Sequence, residues 1–157
     1  MSSATPSGPE PSRSKFEARV LEKLKDQSGK HLVVRGSKKE LENLNSNVDT
    51  IDIAKSQDLV TAVSQSKYIV SRSGYSSIMD YNALGLQACI IPTPGQPEQE
   101  YLASYHQSLQ NHFSIDQDQL DLKTIQEKLD HLPIKKPKAG NSESLPKAIS
   151  TILEAVV

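Results

Sequence analysis

From Lys15 the apolar residues Phe16, Val20, Leu21 and Leu24 recur at helical spacing, and Ser28-Gly29 closes the pattern. A short β-prone run, His31 to Val34, follows and stops at Gly36. Val48 to Ile53 predicts a weaker strand, and Ser56 is placed to cap a helix carrying Leu59, Val60 and Val63. Tyr68 to Val70 predicts a strand, Ser76 to Leu84 a helix stopped by Gly85, and Ala88 to Ile91 a strand cut off by Pro92 and Pro94. A helix from about Glu98 to Gln110, a short strand near His112 to Ile115 and a helix from Leu120 to Leu132 complete the periodic part.

Apolar strands that do not alternate, separated by amphipathic helices, are buried on both faces. The pattern therefore implies an α/β fold: one Rossmann-like domain with a doubly wound parallel sheet, spanning 13–132. Residues 1–12, rich in Ser and Pro, read as an irregular lead-in, and "MSSATP" is too short and polar for a buried strand. Residues 133–145 form a basic linker containing Pro and Gly. An apolar helix over 146–157 follows, which either closes the core or crosses to a partner domain.

Length and charge narrow the classes. A chain of 157 residues suits one domain with a real core. With 18 basic and 19 acidic residues, nothing in the overall balance marks a nucleic-acid partner or an anionic membrane surface. The lone Cys89 excludes an internal disulfide, and its apolar neighbours suggest a buried thiol in a reducing compartment. No apolar run approaches the ~20 residues that span a bilayer, so direct membrane insertion is not expected. The N-terminus lacks a basic n-region and an apolar h-region. The expected setting is the cytoplasm, with peripheral membrane attachment through a partner left open.

Chemistry concentrates where the strand ending at Val70 hands over to the next helix, in "SRSGYSS". A helix N-terminus presents unpaired N–H groups and partial positive charge, which favour phosphate oxygens. Gly74 permits close approach, and the hydroxyls of Ser73, Ser76 and Ser77 can cap the helix or meet an oxyanion. Asp80 lies about two turns on, where a carboxylate can accept from ribose hydroxyls. In "PTPGQPEQEYLA", prolines and a glycine fix a loop that brings Gln96, Glu98, Gln99 and Glu100 to the same sheet edge, a set suited to a polyhydroxylated ligand. Taken singly, each feature has a plainer account: an ordinary N-cap, a solvated carboxylate and an acidic first turn.

Other constellations are weaker. Neither G-x-x-x-x-G-K-[ST] nor G-x-G-x-x-G occurs. Asp116 to Asp118 form a D-x-D, but Asp118 is well placed to cap the following helix, and hard cations need several converging oxygens. The histidines His31, His106, His112 and His131 lack metal-site spacing, so no metal and no cofactor are expected. The turn at Ser73 to Ser77 occupies the place of a hydrolase nucleophile elbow, but G-x-S-x-G is not met. His106 and His112 read as helix-surface and strand-edge residues rather than triad members.

The stretch "SKYIVSRSGYSSIMDYNALGLQACIIPTPGQPEQEYLA", Ser66 to Ala103, resembles the donor-binding half of MurG-like GT-B glycosyltransferases, of the family 28 C-terminal type. The resemblance is weaker but colinear from Ser7 to the end. It implies that Ser73 and Gly74, with Tyr75 and Ser76 in the same turn, face the donor diphosphate. Asp80 stands at the family's ribose-binding glutamate. Gln99 falls on its sugar-contacting glutamine, with Gln96 in the same loop, and Glu100 replaces a neighbouring glutamine. Arg72 either adds positive charge or packs on the sheet edge and pairs with an acid. Ser7 and Gly8 resemble the first glycine turn, and Ala54 lies in the segment whose backbone meets uracil.

The implied ligand is a UDP-sugar, with UDP-N-acetylhexosamine the expected one, for hexosyl transfer without a bound metal. The catalytic base would lie outside this chain, in an acceptor-binding domain supplied in cis or in trans, and without it no transfer is expected. The alternative reading is a non-catalytic nucleotide-sugar-binding module or scaffold, with a serine hydrolase behind both.

Overall fold

The computed structural model describes residues 2–5, 11–35, 46–51 and 61–133. The elements are β1 (Ser2–Thr5), α1 (Ser12–Leu24), β2 (His31–Val34), β3 (Val48–Ile51) and a helical turn at 61–64, α2. They continue with β4 (Tyr68–Arg72), α3 (Tyr75–Leu84), β5 (Cys89–Ile91), α4 (Pro97–Ser108), β6 (Phe113–Ser114), a 3-10 turn (Gln117–Gln119) and α5 (Leu122–Asp130). The strands form one sheet in the order β3-β2-β1-β4-β5-β6, every pair parallel. This is the doubly wound, Rossmann-like arrangement that the periodicity predicts.

The lead-in requires a correction. Ser2–Thr5 is a central strand, with Ser2 opposite both His31 and Tyr68, and Ala4 opposite both Val33 and Val70. Main-chain pairing on two sides outweighs the weak intrinsic preference of Ser and Ala for extended structure. Ser3 and Ala4 are buried, and Ser2 Oγ lies 2.6 Å from Nδ1 of buried His31.

The sheet separates two apolar clusters. Phe16, Val20 and Leu24 of α1 meet Val70, Cys89, Ile91 and, from α5, Ile125 and Leu129 on one face. On the other, Ile78 and Tyr81 of α3 and Ala103 of α4 meet Ile69 and Ile90. β5 therefore sends alternate side chains into two cores, which explains its unbroken apolar run. Each such Ile contributes about 1.5–3 kcal/mol through burial.

Element ends follow side-chain chemistry. Gly85, at φ 68°, ends α3 in a left-handed turn, with Leu86 N–H donating to Tyr81 O. The cap of α5 is Asp121, which accepts from Thr124 N–H at 2.9 Å, not Asp118. Asp118 instead pairs with Arg19. His106 and His112 are both buried rather than at the surface. His112 Nδ1 accepts from Ala88 N–H at 3.2 Å, and the two rings pack 5.5 Å apart, tilted. Among the described residues no helix is long and apolar enough to cross a membrane.

Candidate functional site

The carboxyl ends of β4 and β5 are adjacent, with Arg72 opposite Ile91. The chain leaves β4 through Ser73-Gly74 into α3, and leaves β5 through Pro92 to Gln96 into α4. Both exits lie on one sheet edge, where the following helices present their N-termini.

Gly74 is the N-cap of α3, and no side chain caps the first-turn N–H groups. Its backbone is extended, at φ −75° and ψ 140°, so its contribution here is the missing side chain rather than conformational freedom. A Cβ placed there would meet no heavy atom within 4 Å. The space above the helix end is open, and the uncapped amides and the dipole favour an anion in it.

Ser73 has a different task. It is fully buried, and its Oγ donates to Gln99 O at 2.9 Å, tying the β4 exit to the first turn of α4. Gln99 organises the loop on its other side: Oε1 accepts from Thr93 N–H at 3.0 Å, and Nε2 donates to Gln96 Oε1 at 2.6 Å. Gln96 N–H closes back on Thr93 O at 3.1 Å around Gly95, whose φ of 78° favours glycine. Glu100 Oε1 accepts from Gly95 N–H at 2.9 Å. The Gln96 amide donors and the second Glu100 oxygen remain available at this edge among the described residues. Thr93, which sequence reasoning missed, is buried here, and its hydroxyl has no partner among the described residues. Its position between two prolines at a strand end was the available signal.

Asp80 is half-buried on α3, and burial raises its pKa above the ordinary carboxylate value. Tyr75 and Ser76 are exposed on the first turn. Arg72 is almost fully buried, and its guanidinium stacks 4.1 Å from the Phe16 ring. It donates to Pro92 O at 3.1 Å, Ser12 O at 3.2 Å and Gln117 Oε1 at 2.5 Å. Burial lowers its pKa to about 10, so it stays charged at neutral pH. It braces α1, the β5 exit and the 3-10 turn through neutral acceptors, with no acid among these partners. Ser7, Gly8 and Ala54 lie outside the described residues.

With this geometry, residues 10–154 match the Glycosyltransferase family 28 C-terminal domain. The chain belongs to that family. No curated protein sequence matches it. Among solved structures, this family 28 domain is similar to MurG of Acinetobacter baumannii, at TM-score 0.65 and 13% identity, covering 98% of this chain and 52% of that one. The glycosyltransferase SnogD of Streptomyces nogalater gives 0.62 at 14%, covering 96% and 43%. The spinosyn rhamnosyltransferase SpnG, solved with thymidine diphosphate, gives 0.60 at 12%, covering 98% and 41%. At such identities the likeness establishes the fold, one Rossmann-like half of the GT-B architecture. The chain spans between 41% and 52% of the length of these three structures.

Proposed function

We propose that this family 28 domain binds a UDP-sugar at the carboxyl ends of β4 and β5, as the donor half of a glycosyltransferase. The supporting observation is the uncapped start of α3 at Gly74, open to solvent and latched through Ser73 to the Gln99 loop. The diphosphate takes the α3 amides, Asp80 accepts from the ribose hydroxyls, and the Gln96 and Glu100 groups reach the hexose, for which N-acetylhexosamine is the expected sugar. The chain's part in catalysis is to orient the donor and stabilise the departing diphosphate with fixed dipoles. Transfer then requires an acceptor-binding domain in cis or in trans. The hydrolase alternative loses ground because the Ser73 hydroxyl is buried and donates to a carbonyl, a poor position for a nucleophile.

Calorimetric titration of the full chain with UDP, TDP, GDP and their sugars tests this. Gly74→Asp leaves the domain folded, since the new Cβ meets open space. It also sets a negative charge in the anion seat, which at ~4 Å in an effective dielectric near 20 opposes binding by up to about 4 kcal/mol. The expected result is UDP preferred over GDP, and at least about tenfold weaker UDP binding by the variant. Unchanged affinity in a folded variant overturns the assignment.

A further inference from the structure

We infer that the outer face of α3 and α4 is a docking surface for a basic amphipathic helix of another protein, separate from the nucleotide edge. Both helices pack on the same sheet face through Ile78, Tyr81 and Ala103, so their outer sides form one surface. That surface exposes Met79 on α3, and Tyr101, Tyr105 and Leu109 on and just after α4, at 38%, 66%, 46% and 46%. Tyr101, Tyr105 and Leu109 recur every four residues and so form a stripe about 12 Å long. The Tyr101 and Tyr105 rings stack, 5.9 Å apart and 15° from parallel, a flat aromatic platform directed outward.

Charge identifies the occupant. Residues 73–122 contain no lysine or arginine, although the chain has 18, and they hold six acids: Asp80, Glu98, Glu100, Asp116, Asp118 and Asp121. Thirteen of the 19 acids therefore lie outside this stretch with all of the cations. Asp80, Glu98 and Glu100 belong to α3 and α4 themselves. An aromatic stripe bordered only by carboxylates repels nucleic-acid phosphates and anionic lipid headgroups. It attracts a polypeptide that places Lys or Arg beside apolar anchors, and the helical spacing of the stripe matches a helix laid along it.

The probe is a synthetic peptide of about 18 residues with Leu and Lys at helical period, long enough to be helical once bound. A Leu/Glu peptide of the same pattern is the control. Amide shifts of the full chain and its tyrosine fluorescence, which no tryptophan obscures, report binding. The Lys peptide should shift Met79, Tyr101, Tyr105 and Leu109. Its affinity should fall at least about tenfold in the double variant Tyr101→Ser/Tyr105→Ser, and likewise at ~0.5 M salt, where surface charges are screened. UDP affinity should be unchanged in the double variant. The proposal is overturned if the Glu peptide binds equally, or if the double variant keeps its affinity for the Lys peptide. It is also overturned if sedimentation shows a dimer that the double variant abolishes, or if phosphatidylcholine/phosphatidylserine vesicles take up the chain through this face. Contacts between residues 146–157 and Tyr101 in the peptide-free chain would assign the face to its own tail and overturn it too.

Discussion

Asp80 and Arg72 are both charged and removed from water, yet their consequences differ. Arg72 is matched by three oxygen acceptors and a ring, so its charge holds three elements together. Asp80 has no hydrogen-bond partner among the described residues, and its pKa is raised by burial alone. A carboxyl whose folded pKa exceeds its unfolded value destabilises the fold at pH above the folded pKa. That penalty fades as pH falls through the folded pKa and is gone below the ordinary value of 3.8. Asp80→Asn should therefore raise stability at neutral pH by roughly 0.5 kcal/mol and give no gain in strong acid. The same variant should weaken UDP binding while leaving 2′,3′-dideoxy-UDP nearly unaffected. Melting curves at two pH values and paired titrations check this, and a loss of stability at neutral pH would contradict it. Higher stability with poorer binding is the pattern of a group kept for a ligand.

The turn after β4 and the loop after β5 behave as one unit because Ser73 Oγ reaches Gln99 O. Ser73→Ala should cost about 1 kcal/mol, the net worth of one hydrogen bond. It should weaken a UDP-sugar more than UDP, since the phosphate seat belongs to α3 and the sugar side to the loop. Equal losses for the two ligands would show that the latch does not position the loop. Much of this unit was legible in the sequence. The apolar run Tyr68 to Val70, the Gly85 stop and the prolines flanking Thr93 each act locally, so the order of elements and the shared edge could be read. The latch could not be read, because it joins residues 26 positions apart through one main-chain carbonyl. His106 and His112 were misjudged for the same reason: His112 is held in the core by the amide of Ala88 across the structure. The start of α5 was misplaced because Asp118 and Asp121 are equally good capping residues. Only the meeting of Asp121 with Thr124 N–H, against that of Asp118 with Arg19, separates them.

β1 is the least legible element and the one on which the sheet's continuity depends. It alone joins β2 and β3 to β4, β5 and β6. Its sequence, Ser-Ser-Ala-Thr, has little apolar surface, so its place comes from ladders on both sides rather than from side chains. Ser3 Oγ is buried without a partner among the described residues, a group that destabilises where it stands. Ser3→Ala removes it without adding volume and should raise stability by up to about 1 kcal/mol. Ala4→Pro acts oppositely: it deletes a ladder donor in a central strand and should cost about 3 kcal/mol or more. The damage should be unequal across the molecule. β4 and β5 keep each other and the cluster of Ile69, Ile78 and Ile90, whereas β2 and β3 lose their only hydrogen-bonded route to that half. Hydrogen exchange by residue should then show protection falling in Leu32 to Val34 well before Ile69 to Arg72. Uniform loss along both strands would mean that the helices, not β1, couple the halves.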